Sequence, residues 1–228
     1  MTMRRLTRFF SGKETGGPDW WAAYRALPWT RIRRRTPVAE LAFVVLDTET
    51  TGPDPRRHRP VSASAIRVEG GQMHIGQTLE LVIHQQDYAG GDATPIHGIK
   101  PTDSRAGVSE AEALQQLLSF FGTAVLVGHH VGFDLRVLNE ALARQQLGPL
   151  KNGVLDTAQL AVRAEHLFPN PYLRSEDYTL DALCRRYNVR PRYRHTASGD
   201  AFITGVLLLK LLAKLEARGV TTWGGLSA

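Results

Sequence analysis

The segment "FVVLDTETTG", residues 43–52, ends a run of apolar side chains on two carboxylates, Asp47 and Glu49. In a strand, residues i and i+2 point to the same face, so both acids aim into one space. Like charges sharing a space need a counter-charge, because burying an unpaired charge is costly. Two further acids stand in comparable settings, Asp134 in "LVGHHVGFD" and Asp200 in "HTASGD". Each begins a predicted helix, where a lone acid is ordinarily a cap or a partner of the helix dipole. Taken together, the four can converge at one edge of a sheet, and their charge would match two divalent cations. Carboxylate oxygens suit Mg²⁺ or Mn²⁺. Two such ions ~3.5–4 Å apart stabilise the attacking and leaving oxygens of an in-line displacement at phosphorus. His195 lies five residues before Asp200. Histidine titrates near neutrality, so it is a candidate to accept a proton from the attacking water.

The elements that must position these groups alternate from residue 38 onward. "LAFVVLDTE" reads as a strand. "SASAIRVEGGQMHIGQTLELVI" reads as two strands around the turn Gly70-Gly71, with a third following. "SEAEALQQLLSFFG" is predicted to be a helix, with Ser109 and Glu112 as a capping box and Leu114, Leu117, Leu118 and Phe121 as its apolar stripe. "AVLVG" is a short buried strand, and "FDLRVLNEALARQQLGP" a helix stopped at Gly148 and Pro149. Three more helical segments follow near 156–167, 179–188 and 199–217, and the stretch near 88–95 reads as a loop. Early hairpins, then helices around a short apolar strand, indicate an α/β domain with a mixed sheet.

"DTETTG", "GHHVGFD" and "HTASGDAFIT" resemble, in order, the three motifs of the DnaQ-like (DEDDh) 3′-5′ exonucleases. That family includes the proofreading epsilon subunits of bacterial replicases. Asp47 and Asp200 are 153 residues apart, typical of such a domain, and "PIHGIKPTD" matches the segment after the family's early strands. The resemblance covers about residues 40–215. It implies a ribonuclease-H-like α/β fold, a central mixed sheet flanked by helices. Asp47, Glu49, Asp134 and Asp200 would hold two divalent cations, Mg²⁺ or Mn²⁺, Glu49 less directly, and His195 would be the general base. The backbone of Thr50, Thr51 and Gly52, with His97, would contact the terminal nucleotide. The implied activity is hydrolysis of DNA from the 3′ end to nucleoside 5′-monophosphates, with single-stranded or frayed 3′ ends as substrate. RNA-trimming relatives share the chemistry; "DTETTG" looks more like the proofreading branch. The family commonly has His-Asn where this chain has His129-His130, which touches a supporting hydrogen bond rather than the metal ligands.

Composition bounds the rest. The chain has 228 residues, 43% hydrophobic and 22% charged, which is ordinary for a soluble globular protein. Its net charge of +6 is concentrated: residues 1–40 hold nine Arg or Lys against three Asp or Glu, leaving nineteen of each beyond. The expected division is a basic aromatic extension over 1–37, a catalytic domain over 38–219 and a tail over 220–228. Trp20, Trp21, Tyr24 and Leu27 fall near one helical face. The extension is read either as packing on the domain, or as docking a protein partner or gripping phosphates. The single cysteine, Cys184, excludes an internal disulfide, and no apolar run reaches the length of a membrane span, so the expected setting is cytoplasmic. No zinc-type Cys/His spacing or G-x-S-x-G elbow is present. His129 and His130 read as near-core, and His58, His74, His84 and His166 as surface or structural. The remaining alternative is a binding or assembly module that kept the fold without the chemistry.

Overall fold

The computed structural model describes residues 17–90, 93–166 and 172–227; the basic stretch "MRRLTRFF" lies outside them. Five strands form one sheet: β1 (Phe43–Thr50), β2 (Pro60–Glu69), β3 (Gln72–Val82), β4 (Val125–Gly128) and β5 (Val154–Asp156). Their order is β3-β2-β1-β4-β5, with β1 antiparallel to β2, β2 to β3, and β4 parallel to both β1 and β5. The helices are α1 (Asp19–Ala26), α2 (Thr94–His97), α3 (Pro101–Arg105), α4 (Glu110–Phe121), α5 (Gly132–Arg144), α6 (Thr157–Glu165), α7 (Leu180–Arg186), α8 (Ala197–Glu216) and α9 (Trp223–Leu226). Among the described residues, no helix is long and apolar enough to cross a membrane.

The near-continuous apolar run of β1 follows from burial on both faces. Phe43 and Val45 join Val125 and Val127 in a cluster with α6, α7 and α8. Val44 and Leu46 join Leu126 in a second cluster with α1, α4 and α5. Trp21 and Tyr24 are buried in that second cluster, and the Tyr24 hydroxyl donates to Asn152 Oδ1 at 2.8 Å. This part of the N-terminal segment therefore packs on the sheet layer. Cys184 is fully buried against α8 and its neighbours, a core side chain.

Two expectations about element limits are corrected. β3 is one strand of 11 residues, not two. A register shift between Ile66 and Arg67 on β2 absorbs the irregularity near Gly76. Helix α5 ends at Arg144 rather than at Gly148. Gln146 adopts the left-handed conformation (φ 60°), Gln146 N–H donates to Ala143 O and Leu147 N–H to Leu142 O. These bonds are a Schellman stop made without glycine. At the start of α4, Ser109 Oγ accepts from Glu112 N–H at 3.2 Å.

Candidate active site

The site forms where β1 outruns its neighbour. β4 pairs with β1 only from Phe43 to Val45, so Asp47 to Thr50 project past the parallel edge. Open α/β sheets bind ligands at such carboxyl ends. The alternation that puts Phe43 and Val45 against α8 carries on to Asp47 and Glu49. Asp200, in the first turn of α8, meets them there. One oxygen from each of Asp47, Glu49 and Asp200 lies within 4.8 Å of the others.

Asp134, in the first turn of α5, arrives from the opposite layer. Its Oδ1 accepts from Thr48 N–H at 2.9 Å and from Thr48 Oγ1–H at 2.7 Å. Thr48 is on the alternate face of β1, so the centre straddles the sheet. The two sides remain electrostatically joined. Burial first, then repulsion from Asp134, Asp200 and Glu49, holds Asp47 well above the usual carboxylate range, although Arg194 pulls it down. Burial and the charges of Asp200 and Asp134 push Glu49 up to about 7. Burial pushes Asp134 up to about 6, with the Thr48 hydrogen bonds opposing.

Arg194 is the local positive charge. Its Nη1 donates to Asp200 Oδ1, and its Nε donates to Asp181 Oδ1 at 2.7 Å. His195 N–H donates to Asp200 Oδ2 at 3.3 Å. His195 itself is exposed, on a turn where both Tyr193 and His195 have positive φ (55° and 61°). Such backbone is disfavoured for bulky residues and is concentrated at functional sites. The turn is closed by Thr196, which caps α8 by accepting from Gly199 N–H at 3.1 Å.

The other expected residues gather at the same sheet end. Thr50 Oγ1 donates to Gly52 O at 2.7 Å, and Thr51 exchanges hydrogen bonds with Arg59. His97 is buried, and its Nδ1 accepts from Ile99 N–H at 3.1 Å. Burial lowers its pKa, against a raising effect from the Thr50 backbone. His130 is exposed. His129 is partly buried, shares a 2.9 Å hydrogen bond with Thr157 Oγ1, and is driven down to about 4 by burial and then by His130.

Arg194, Asp181, Thr48 and Asp156 were not singled out from the sequence. Asp156 caps α6 through Ala158 N–H and also accepts from His130 and Val131 N–H, which fixes the approach to Asp134. Arg194 and Thr48 carried a signal, being adjacent to His195 and to Asp47 and Glu49.

An all-oxygen donor set whose members raise one another's pKa, with little positive charge beside it, fits hard divalent cations. The donor chemistry and the 4.8 Å spacing support that fit.

The exonuclease (RNase_T) family matches residues 44–208 of this chain. A DNA polymerase III subunit epsilon-like protein from Rhodobacter capsulatus is 34% identical over 195 residues, covering 83% of this chain and 26% of that protein. The PolC-type DNA polymerase III of Latilactobacillus sakei is 30% identical over 169 residues, covering 74% of this chain and 11% of its own length. This chain thus spans about a quarter or less of these two relatives. E. coli exonuclease I in complex with a dT13 oligonucleotide superposes with a TM-score of 0.65 at 22% identity, over 78% of this chain and 42% of that one. That likeness bears on the fold, which is the α/β exonuclease fold of a mixed sheet flanked by helices.

Proposed function

Since the chain belongs to the exonuclease (RNase_T) family, we propose that it is a 3′-5′ exonuclease that removes nucleoside 5′-monophosphates from single-stranded or frayed DNA ends. One observation carries this reading: Asp47, Glu49 and Asp200 bring their oxygens within 4.8 Å of one another from distant parts of the chain. Asp134 acts on the same centre.

In this reading Asp47, Glu49, Asp134 and Asp200 hold two divalent cations, Mg²⁺ or Mn²⁺. When bound, such cations neutralise the charge that develops around the phosphorus and lower the pKa of the attacking water. Thr50, Thr51 and Gly52, with His97 beside them, seat the terminal nucleotide. Water attacks the phosphorus, the bond to the 3′-oxygen of the preceding nucleotide breaks, and that oxygen takes a proton from solvent to become the new 3′-hydroxyl. His195 takes the proton of the attacking water; its exposure lets it return that proton to solvent. The hydrogen bond from His195 N–H to Asp200 ties the position of the base to the carboxylate cluster. The strand–helix junctions fix the acids before substrate arrives, so little reorganisation is required.

The same reading covers residues 38–219 as the catalytic domain and a cytoplasmic setting. The extension over 1–37 would be the route to a protein partner. The test is incubation of 5′-labelled single-stranded DNA with Mg²⁺. Progressive shortening by the wild type and its loss in Asp200→Ala is the expected result; intact substrate with the wild type in both Mg²⁺ and Mn²⁺ refutes it. Digestion of matched DNA and RNA oligomers separates the two substrate classes, since discrimination lies in contacts to the 2′-hydroxyl.

A further inference from the structure

Beside the acidic centre lies a trough of about 700 Å³ between β2, β3 and the outer face of α8. Three of its lining side chains are large and exposed: Ile75 at 58%, Tyr193 at 79% and Phe202 at 42%. Arg190 and Arg192 line the same hollow, and among the described residues Glu80 is the only acid lining it. Solvated apolar side chains scattered singly are ordinary, but a cluster of them marks a binding surface.

The trough adjoins the site along the chain. Tyr193 precedes His195 by two residues, and the trough includes Ser198 and Gly199, which lead directly into Asp200. A smaller hollow of about 360 Å³ shares Ser198 and Glu80 with it and reaches His97.

Tyr193 is also held firmly. Thr196 Oγ1 donates to Tyr193 O at 2.7 Å. Gly199 admits that carbonyl so closely that a Cβ there would stand 2.0 Å from it. Pro191 restricts the backbone between the two arginines. An exposed ring on a fixed turn loses little freedom when a second ring stacks on it.

Aromatic platforms interleaved with arginines are what a single nucleic-acid strand requires, since every base has a π face and every linkage a charge. An apolar peptide would satisfy the rings and leave two guanidinium groups unmatched.

We propose that this trough carries the single strand upstream of the reacting 3′ end. The bases stack on Tyr193 and Phe202, and the phosphates meet Arg190 and Arg192. The inference rests on the exonuclease reading above for the polarity of the strand.

The test is fluorescence anisotropy of a labelled oligothymidylate of about twelve nucleotides, within the length such surfaces span. The full chain is used in chelator, so that nothing is cut. Phe202→Ala and Tyr193→Ala each weaken binding by about tenfold. Arg190→Gln and Arg192→Gln each reduce the slope of log affinity against log salt by about 0.7. The loss shrinks as the oligomer is shortened towards a dinucleotide. Phe202 is on the outer face of a long helix, so its variant remains informative if Tyr193→Ala does not fold. Trough variants that keep the wild-type melting temperature and still bind the long oligomer as the wild type does overturn the inference. Shortening of labelled DNA by the wild type in Mg²⁺ tests the exonuclease reading separately. If the wild type cuts and the trough variants bind normally, the trough alone is wrong. If the wild type does not cut but the variants bind weakly, the trough stands as a nucleic-acid surface and the enzymatic reading fails.

Discussion

The side chain of Asp200 is 11% exposed and that of Glu165 is 15% exposed, yet they stand in opposite company. Glu165 accepts from the hydroxyls of Tyr178 and Tyr187, at 2.9 and 3.0 Å, and from Arg186 at 2.9 Å. Burial alone would raise its pKa, but these donors together hold it below the usual carboxylate range. Asp200 stands with Asp47 and Glu49, Asp134 reaches the same strand end from the other face, and Arg194 is their positive neighbour. Glu110, also 11% exposed, resembles Glu165, because Arg144 grips both of its oxygens at 2.9 and 2.7 Å. Burial therefore does not distinguish these carboxylates. The balance of charge does: four acids share Arg194 at this strand end, whereas Glu165 and Glu110 each have an arginine of their own, and an excess of like charge is relieved by a cation.

The sharpest way to break this contrast is mutation on both sides. Asp47→Ala or Asp200→Ala is expected to lower metal-dependent DNA shortening by roughly 10³-fold or more, measured by gel assay under single-turnover conditions. Glu165→Gln is expected to leave that rate within a few-fold while removing ~1.5–3 kcal/mol of stability through the lost charged hydrogen bonds. A Glu165 variant as inactive as Asp200→Ala would erase the distinction.

The second test is pH. Glu49 rises from 4.5 to about 7 on folding and Asp134 from 3.8 to about 6. The fold thus favours their protonated forms. Their contribution to stability is complete below about pH 4 and is lost as pH climbs through about 6–7. After allowance for solvent screening at Glu49, the loss is ~2–4 kcal/mol. Thermal melts of the metal-free protein are expected to fall by several degrees from about pH 5 to about pH 8. Mn²⁺ restores them at the higher pH, because the ligands bind deprotonated. Glu165 has the opposite sign: its contribution is present above its ordinary 4.5 and is lost only in acid. Glu49→Gln should flatten the neutral slope and Glu165→Gln should leave it unchanged.

Removal of the positive neighbour gives a smaller effect. Arg194→Gln should destabilise the metal-free protein at about pH 8 by ~1–3 kcal/mol, with most of the loss recovered on adding Mn²⁺. An equal loss with and without the ion would make Arg194 a purely structural partner of Asp181. Smallest is Thr48→Val, which deletes the 2.7 Å hydroxyl bond to Asp134 and keeps the backbone one. It should cost about 1 kcal/mol and shift the pH midpoint of Mn²⁺ binding upward, read by calorimetric titration.

Much of this arrangement was legible in the chain itself. Alternation set Asp47 and Glu49 on one face of β1, and the apolar periodicity of residues 197–216 put Asp200 at the head of a helix. Helical spacing set Trp21 and Tyr24 on one face but left open whether that face packs on the domain or docks a partner; both are buried, while Trp20 and Leu27 are partly so. The short strand Val154–Asp156 was not legible. Three residues carry no periodicity, and they read as the approach to the following helix. The stop of α5 at Gln146 was obscured because left-handed backbone is expected at Gly148 instead. Arg194 and Asp181 could not be paired from sequence, since the ion pair joins α7 to the turn before α8, and the packing of those helices is set by apolar contacts elsewhere.

The position of Asp134 on the far side of β1 has a consequence for how the molecule loses competence. Asp200 depends on the docking of α8 against one face, and Asp134 on the docking of α5 against the other. Loosening either layer dismantles the centre, even where the opposite layer remains intact. Under the proposed function, DNA shortening followed through denaturation is expected to report the joint integrity of both halves of the core, with none left once either layer has loosened.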